Sequence, residues 1–291
     1  MTDERLVIVG AGVGGLAAAI ELAVAGFAVT VVERGRVSGV LLATGERLAA
    51  AAVVINADAA ALSAGLFGSA TKGAIAEVPA AARSLSALTV SPQAATDGFA
   101  LCRHNVFFSM DYAAEFAALC QRRALPDEPT VYICAQDRED GAATVKSPGS
   151  EGAPERLFCI INAPATGDRE LFENAEIKRC VNGGLSVLNR CGLHLRTSLM
   201  DGRITSPRDF EQRFPMTGGA LYGRATHGST ASFQRPGSRT RVPGLYLAGG
   251  SAHPGPGVPM AALSGRLAAQ SLIEDSRSIG RSQKVAMPGG T

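Results

Sequence analysis

Two glycine-rich turns hold the residues whose types and spacing could do chemistry. The first is Gly10-Ala11-Gly12-Val13-Gly14-Gly15, which satisfies G-x-G-x-x-G. Alone, such a match is weak. Here an apolar, β-branched run ending at Val9 precedes it, an Ala- and Leu-rich run follows it, and acidic Glu33 closes the next apolar run. That strand–turn–helix–strand–acid order is the context in which the motif binds a dinucleotide. Gly10 permits the tight turn, Gly12 lets the backbone approach a pyrophosphate, and Gly15 lets the helix pack closely on the strand. The whole cradle, with Ala11, Val13 and Gly14, is a cofactor-binding candidate, because the free N–H groups and positive dipole end of the helix attract phosphate. Glu33 would accept hydrogen bonds from the adenosine ribose hydroxyls, which argues against a 2′-phosphate there. Arg34 either stacks on adenine or is solvated.

The second turn lies far along the chain, in Gly244-Leu-Tyr-Leu-Ala-Gly-Gly-Ser-Ala-His-Pro-Gly-Pro-Gly-Val-Pro-Met260, running on to Arg266. It reads as a short buried strand, a rigid Gly/Pro loop and the start of a helix. Gly249 and Gly250 allow close approach of backbone to a ligand. A helix beginning at Val258-Pro259-Met260 would aim its free N–H groups outward, where they favour negative charge developing on a reduced flavin ring. An NAD enzyme has no need of this second motif, so the pair of turns favours FAD over NAD. His253 sits in the loop and reads as a hydrogen-bonding or solvated residue before a catalyst. Ser264 lacks the G-x-S-x-G context of a nucleophile elbow. No Ser/His/Asp triad and no metal-ligand cluster can be assembled, and no catalytic side chain is assigned.

The elements that must position these turns follow from pattern. Arg5–Val9 reads as a buried strand, Leu16–Ala25 as a helix ended by Gly26, and Val29–Glu33 as a second buried strand, which together make a β-α-β unit. Val37–Leu48 reads as a hairpin turning at Gly45, Val53–Ile55 as a buried strand, and Asn56-Ala-Asp58 as the start of an Ala-rich helix to about Leu66. Strands of an antiparallel sheet are expected at Ser84–Val90, Val106–Phe108, Thr130–Ala135 and Leu157–Ile161. Helix is expected over Tyr112–Arg122, with Phe116, Leu119 and Cys120 on one face, and over Asp168–Leu188 with a break near Asn182-Gly-Gly184. Pro207–Phe214 is a short helix, and 276–291 a frayed tail. The fold class is α/β with an α+β portion. A Rossmann-like cofactor domain from 1–66 and 240–275 embraces a domain over 67–239.

Composition bounds the rest. The chain has 291 residues, 46% of them hydrophobic, enough for one large core or two modest ones. A net charge of +2 does not suggest nucleic acid. Arg203, Arg208, Arg213, Arg224, Arg235, Arg239 and Arg241 make one stretch locally basic, either a solvated face or one for anionic lipid. The six cysteines form no C-x-x-C pair and read as reduced, mostly buried thiols of a cytosolic protein. The first residues lack a basic n-region, so no signal peptide is expected. Leu16–Val32 and Leu48–Ala61 are interrupted by polar or glycine residues and do not read as membrane spans.

These residues resemble the carotenoid desaturases, the bacterial phytoene desaturase-like flavoenzymes. Val7–Glu33 resembles their N-terminal FAD signature and Gly244–Arg266 their C-terminal one. Within the family, His104–Phe108, Pro126–Arg138, Ile161–Pro164, Phe214–Gly223 and Phe233–Gly237 resemble the 1-hydroxycarotenoid 3,4-desaturases, also called methoxyneurosporene or hydroxyneurosporene dehydrogenases. The resemblance runs in order along nearly the whole chain apart from the tail. It implies removal of two hydrogens from an acyclic hydroxylated or methoxylated carotenoid, an apolar polyene held in an apolar tunnel. FAD would take the hydride and an outside acceptor would reoxidise it. A cytoplasmic protein is expected, and any membrane contact would be peripheral, on the inner face of the membrane. The oligomeric state is not implied.

The chain departs from the family pattern at one point. After the acidic residue of the second strand, the family continues with a Gly-Gly-x-x-Arg-like segment and a long stretch building much of the substrate domain. Here Glu33-Arg-Gly35 runs straight into Arg36-Val-Ser-Gly-Val40, which resembles the later hairpin that re-enters the FAD domain at Val53–Asp58. The pyrophosphate contacts and the pocket wall drawn from that stretch have no counterpart. Two other readings follow: a non-catalytic remnant of an FAD fold, or another flavin oxidoreductase such as an amine oxidase. The absence of Trp and the presence of only four Tyr weigh against the latter, since cation-handling sites use aromatic faces.

Overall fold

A computed structural model describes residues 6–9, 13, 17–18, 39–42, 45–139, 153–169, 171–196, 198–226, 228 and 231–285. The chain divides into two compact units, Met1–Arg83 with Tyr222–Thr291, and Ser84–Leu221.

In the first unit Leu6–Val9, Ala52–Ile55 and Leu245–Leu247 form a parallel sheet with Ala52–Ile55 at its centre. All four residues of that central strand are buried, so its sequence reads Ala-Val-Val-Ile without alternation. Val54 packs on one face with Ala18, Ala248, Ala268, Ala269 and Leu272, most of them from the long helix Val258–Val285. Val53 and Ile55 pack on the other face with Ala59, Leu62, Ala74 and Ile75. Each such buried Val or Ile contributes roughly 1.5–3 kcal/mol. The register pairs Val9 with Ile55 and Ile55 with Leu247, so the three strands end at one edge. Gly39–Leu41 and Arg47–Ala49 form the expected hairpin, with Gly45 at φ +86° in its turn.

Two expectations change here. Residues 67–83 and 222–239, read from sequence as part of the central domain, pack with the cofactor unit. Their backbone is tied there: the Ala225 N–H donates to the Ala82 carbonyl and the Arg241 N–H to the Ala74 carbonyl. The segment read as a tail from 276 continues the long helix to Val285. Its Ser, Arg, Gln and Lys are polar but helix-compatible, and no proline intervenes before 288. The expected helix over 16–25 is seen as helical turn at Ala17–Ala18, while the expected strand over 29–33 lies outside the described residues.

The second unit is an antiparallel sheet in the order Arg203–Thr205, Ser86–Ser91, Glu155–Ala163, Val131–Ala135, His104–Phe107, with Gln93–Ala94 pairing beside the long central strand. The helix Asn174–Arg190 lays Cys180, Val181, Val187 and Leu188 into the core against Val131, Ile133, Leu157 and Ile161. It runs unbroken through Gly183-Gly184, contrary to the expected break. The glycines serve close packing instead. A Cβ on Gly183 would lie 1.8 Å from the Asp127 carbonyl oxygen, and one on Gly184 would lie 3.1 Å from the Ile161 and Val131 side chains. The helix expected over Tyr112–Arg122 is α-helical only to Phe116 and winds on as π-helix over Ala117–Arg122. The wider turn rotates the face: Leu119 is buried while Cys120 is exposed.

Candidate cofactor site

The shared edge of the parallel sheet is where the site is built. Among the described residues two chain segments leave it: the turn Asn56–Asp58 and the loop Gly249–Gly257. Ligands of open α/β sheets sit at the carboxyl ends of the strands. The loop is held to the neighbouring turn at several points. The Ala248 N–H donates to the Ile55 carbonyl at 2.9 Å, and the Gly249 N–H donates to Ser264 Oγ at 3.2 Å. Gly249 has φ +115°, and a Cβ there would meet Asn56 Oδ1 at 2.9 Å, so both conformation and space require glycine.

Asp58 caps the short helix Ala59–Ser63, accepting from the Ala60 N–H at 2.8 Å. Ser251 Oγ accepts from the Ala59 N–H at 2.8 Å. Burial raises the Asp58 carboxyl above its usual range; the Ala60 N–H, the Ser251 hydroxyl and the charges of Arg235 and Arg83 pull the other way. Arg235 is 4% exposed. Its Nη1 donates to the carbonyls of Tyr222 at 2.8 Å and Gly250 at 3.2 Å, and its Nη2 donates to that of Arg224. Burial lowers its pKa, with Asp58 acting against that shift.

Beyond this network the loop opens. A Cβ on Gly257 would meet nothing within 4 Å, and one on Gly250 would meet only Pro256 Cα, at 3.7 Å. Gly257, Val258, Pro259 and Met260 are exposed. The N–H groups of Val258 and Met260 lie in the first helical turn, where no intrahelical acceptor exists. An exposed apolar helix start with free N–H groups beside uncrowded glycine backbone suits a flat, partly apolar group that gains negative charge. The described residues thus fit the flavin end of FAD.

Of the expected cofactor-binding residues, Gly249 and Gly250 follow the strand Leu245–Leu247, and Val258, Pro259 and Met260 begin the helix after the loop. Val13 is helical and exposed. Gly10, Ala11, Gly12, Gly14, Gly15, Glu33 and Arg34 lie outside the described residues. His253 is half-buried and stacks on Phe233 with ring centroids 5.7 Å apart. Arg235 was read from sequence as one of a row of surface arginines, and that is corrected: it is buried. Arg203, Arg208, Arg213, Arg239 and Arg241 are exposed, but the first three belong to the second unit and the last two to the first.

Comparison with known proteins shows what the chain is similar to. Residues 8–71 match the NAD(P)-binding Rossmann-like domain. The chain is 52% identical over 259 residues to a hydroxyneurosporene desaturase of Rubrivivax gelatinosus, covering 89% of this chain and 48% of that protein. It is 40% identical over 247 residues to the hydroxyneurosporene desaturase of Cereibacter sphaeroides, covering 85% and 48%. A 1-hydroxycarotenoid 3,4-desaturase of a Flavobacterium is 33% identical over 168 residues, covering 57% and 33%. Over most of its own length the chain is thus similar to carotenoid desaturases.

It spans about half the length of the relatives that it matches over most of its own. The residues around the loop that sequence reasoning missed are Asn56, Asp58, Ser251, Ser264 and Arg235. Asp58 alone carried a local signal, a capping residue between a strand and an Ala-rich helix. The others act on segments distant in sequence. Among the described residues no group of His, Cys, Asp and Glu could hold a metal ion. Of the cysteines read as mostly buried, Cys159 and Cys180 are buried, Cys102 and Cys134 are half-buried, and Cys120 and Cys191 are exposed.

Proposed function

We propose that this chain holds FAD between its two glycine-rich turns and serves the desaturation of an acyclic hydroxylated or methoxylated carotenoid. One observation carries the reading. The parallel register ends the strand before Gly10 and the strand before Gly249 at the same sheet edge, on either side of Ile55. Bound FAD would supply two-electron acceptance. The chain's part is to hold and orient it. Gly10–Gly15 would take the pyrophosphate, Glu33 the ribose, and Gly249, Gly250 and Val258–Met260 the ring. The unit Ser84–Leu221 would help hold the polyene.

Peripheral contact with the cytoplasmic face of a membrane belongs to the same proposal, because the implied substrate dissolves in lipid. Val106, Phe108, Met110, Tyr112 and Phe116 are large apolar residues exposed close together in sequence. No described helix is long and apolar enough to cross a membrane.

The test is reconstitution. Purified protein incubated with FAD should be yellow after desalting and should bleach with dithionite. Expression in a host that makes hydroxylated neurosporene should then yield a product with one more conjugated double bond. Retention of FAD without that product would favour a second reading, a non-catalytic FAD-fold protein. The half-length coverage of the relatives supports that alternative. Failure to retain FAD under any condition would refute the desaturase reading and leave a non-catalytic remnant of the fold.

A further inference from the structure

We infer that Arg235 is a positioning residue for the cofactor, fixing the peptide between Gly250 and Ser251 in the orientation the flavin end requires. The inference rests on the FAD reading above and assigns a role to a residue outside both glycine motifs.

Arg235 is an expensive way to fill a core. The residue is 4% exposed, and its Nη donors go to three backbone carbonyls. Its Nε is buried and has no hydrogen-bond partner among the described residues. Removing a guanidinium from water costs several kcal/mol, and an apolar side chain of similar size would pack without that penalty. What the fork supplies is direction. A trans peptide holds its C=O and N–H antiparallel. Turning the Gly250 carbonyl onto Arg235 therefore turns the Ser251 N–H away from it, as a donor free of the positive charge. Without the guanidinium that peptide can rotate and offer its carbonyl instead.

The surroundings reinforce this orientation. Ser251 is clamped from the side by the Ala59 N–H. Gly223 leaves no room for a Cβ, which would approach Ser251 Cβ to 2.7 Å, and a Cβ on Gly255 would stand 3.4 Å from Arg235 Nε. Asp58 supplies an opposing charge, while the Nη donors go to the carbonyls. The charge and the loop thus form one assembly, drawn from residues 58–59, 222–224, 235 and 250–255.

The full-length chain with FAD tests the inference through R235Q and R235K. Hydrogen bonds to a charged donor imply that R235Q weakens FAD binding by about 10- to 100-fold. The flavin midpoint potential should fall, and amide exchange over 249–257 in the FAD-free protein should quicken. R235K keeps the charge without the fork and should recover part of each. If R235Q melts lower yet binds FAD with the wild-type dissociation constant and potential, Arg235 is only structural and the inference is overturned. If R235Q does not fold, R235K decides: weaker FAD binding and a shifted potential support the role, wild-type values overturn it. Should the wild type itself bind no FAD, the FAD reading falls first and this inference with it. That outcome is distinct from a wild type that binds and a variant that binds equally well.

Discussion

Gly249 and Gly257 allow strain and contact to be separated within one loop. Both have positive φ, +115° and +101°, so alanine at either is strained. Holding a residue with a Cβ in such a conformation costs about 1–3 kcal/mol. The surroundings differ. At Gly249 the added Cβ would stand 2.9 Å from Asn56 Oδ1, and at Gly257 it meets nothing within 4 Å. Forcing Asn56 aside adds roughly 1–3 kcal/mol, the usual cost of overpacking. G249A should therefore lose about 2–6 kcal/mol and G257A about 1–3. For a unit of this size each kcal/mol moves Tm by roughly 2–4 °C. Thermal melts followed by circular dichroism should place G249A roughly 2–12 °C below G257A. Cofactor binding should rank the variants differently. The Gly257 methyl projects into open space at the helix start, so G257A should weaken FAD binding by more than its modest loss of stability suggests. Equal melting temperatures would refute the packing argument at Gly249. Wild-type FAD affinity in G257A would refute placement of the ring at Val258–Met260.

Other expectations follow from single contacts. S264A removes the acceptor of the buried Gly249 N–H and should cost about 1–2 kcal/mol in urea unfolding, whereas S264T, which keeps the hydroxyl, should cost less. In the second unit Arg138 and Glu155 form a buried pair, with side chains 9% and 7% exposed. R138M leaves the Glu155 charge stranded and should destabilise by about 3–5 kcal/mol, measured by the urea midpoint. Cys120 and Cys191 should label with iodoacetamide in the native protein, and Cys159 and Cys180 only after unfolding, because burial pushes the latter two thiols up to about 12. Those thiols also set a direction with pH. The folded state keeps their protons up to about 12, whereas the unfolded chain releases them near 9. Their contribution to stability is full below pH 9 and is lost as pH rises toward 12, so C159A should flatten the alkaline decline of Tm.

The legible parts of this protein are those encoded locally. Buried strands such as Ala52–Ile55 announce themselves as short β-branched runs, and Asp58 and Gly257 punctuate helices in the usual places. The Gly183-Gly184 pair shows where local rules mislead. Two glycines in a helical pattern weigh against helix by propensity, yet the Asp127 carbonyl packs where a Cβ on Gly183 would project, and that contact depends on a segment more than fifty residues away. The π-helical turn after Phe116 has the same character: it buries Leu119 and exposes Cys120, two residues that the spacing of apolar residues puts on one face.

Arg235 is the sharpest case. Seven arginines scattered over forty residues look alike in sequence, and charge statistics place all of them in water. Nothing near Arg235 in sequence marks it out, since its partners are the carbonyls of Tyr222, Arg224 and Gly250 and the charge of Asp58. Backbone carbonyls carry no sequence identity, so a side chain that binds only carbonyls leaves no covarying partner type to read. The glycine motifs mark in sequence where a cofactor is proposed to sit. The residue that orients their peptides emerges only when the chain closes on itself, and substitution of Arg235 should therefore affect cofactor binding as strongly as substitution within the motifs.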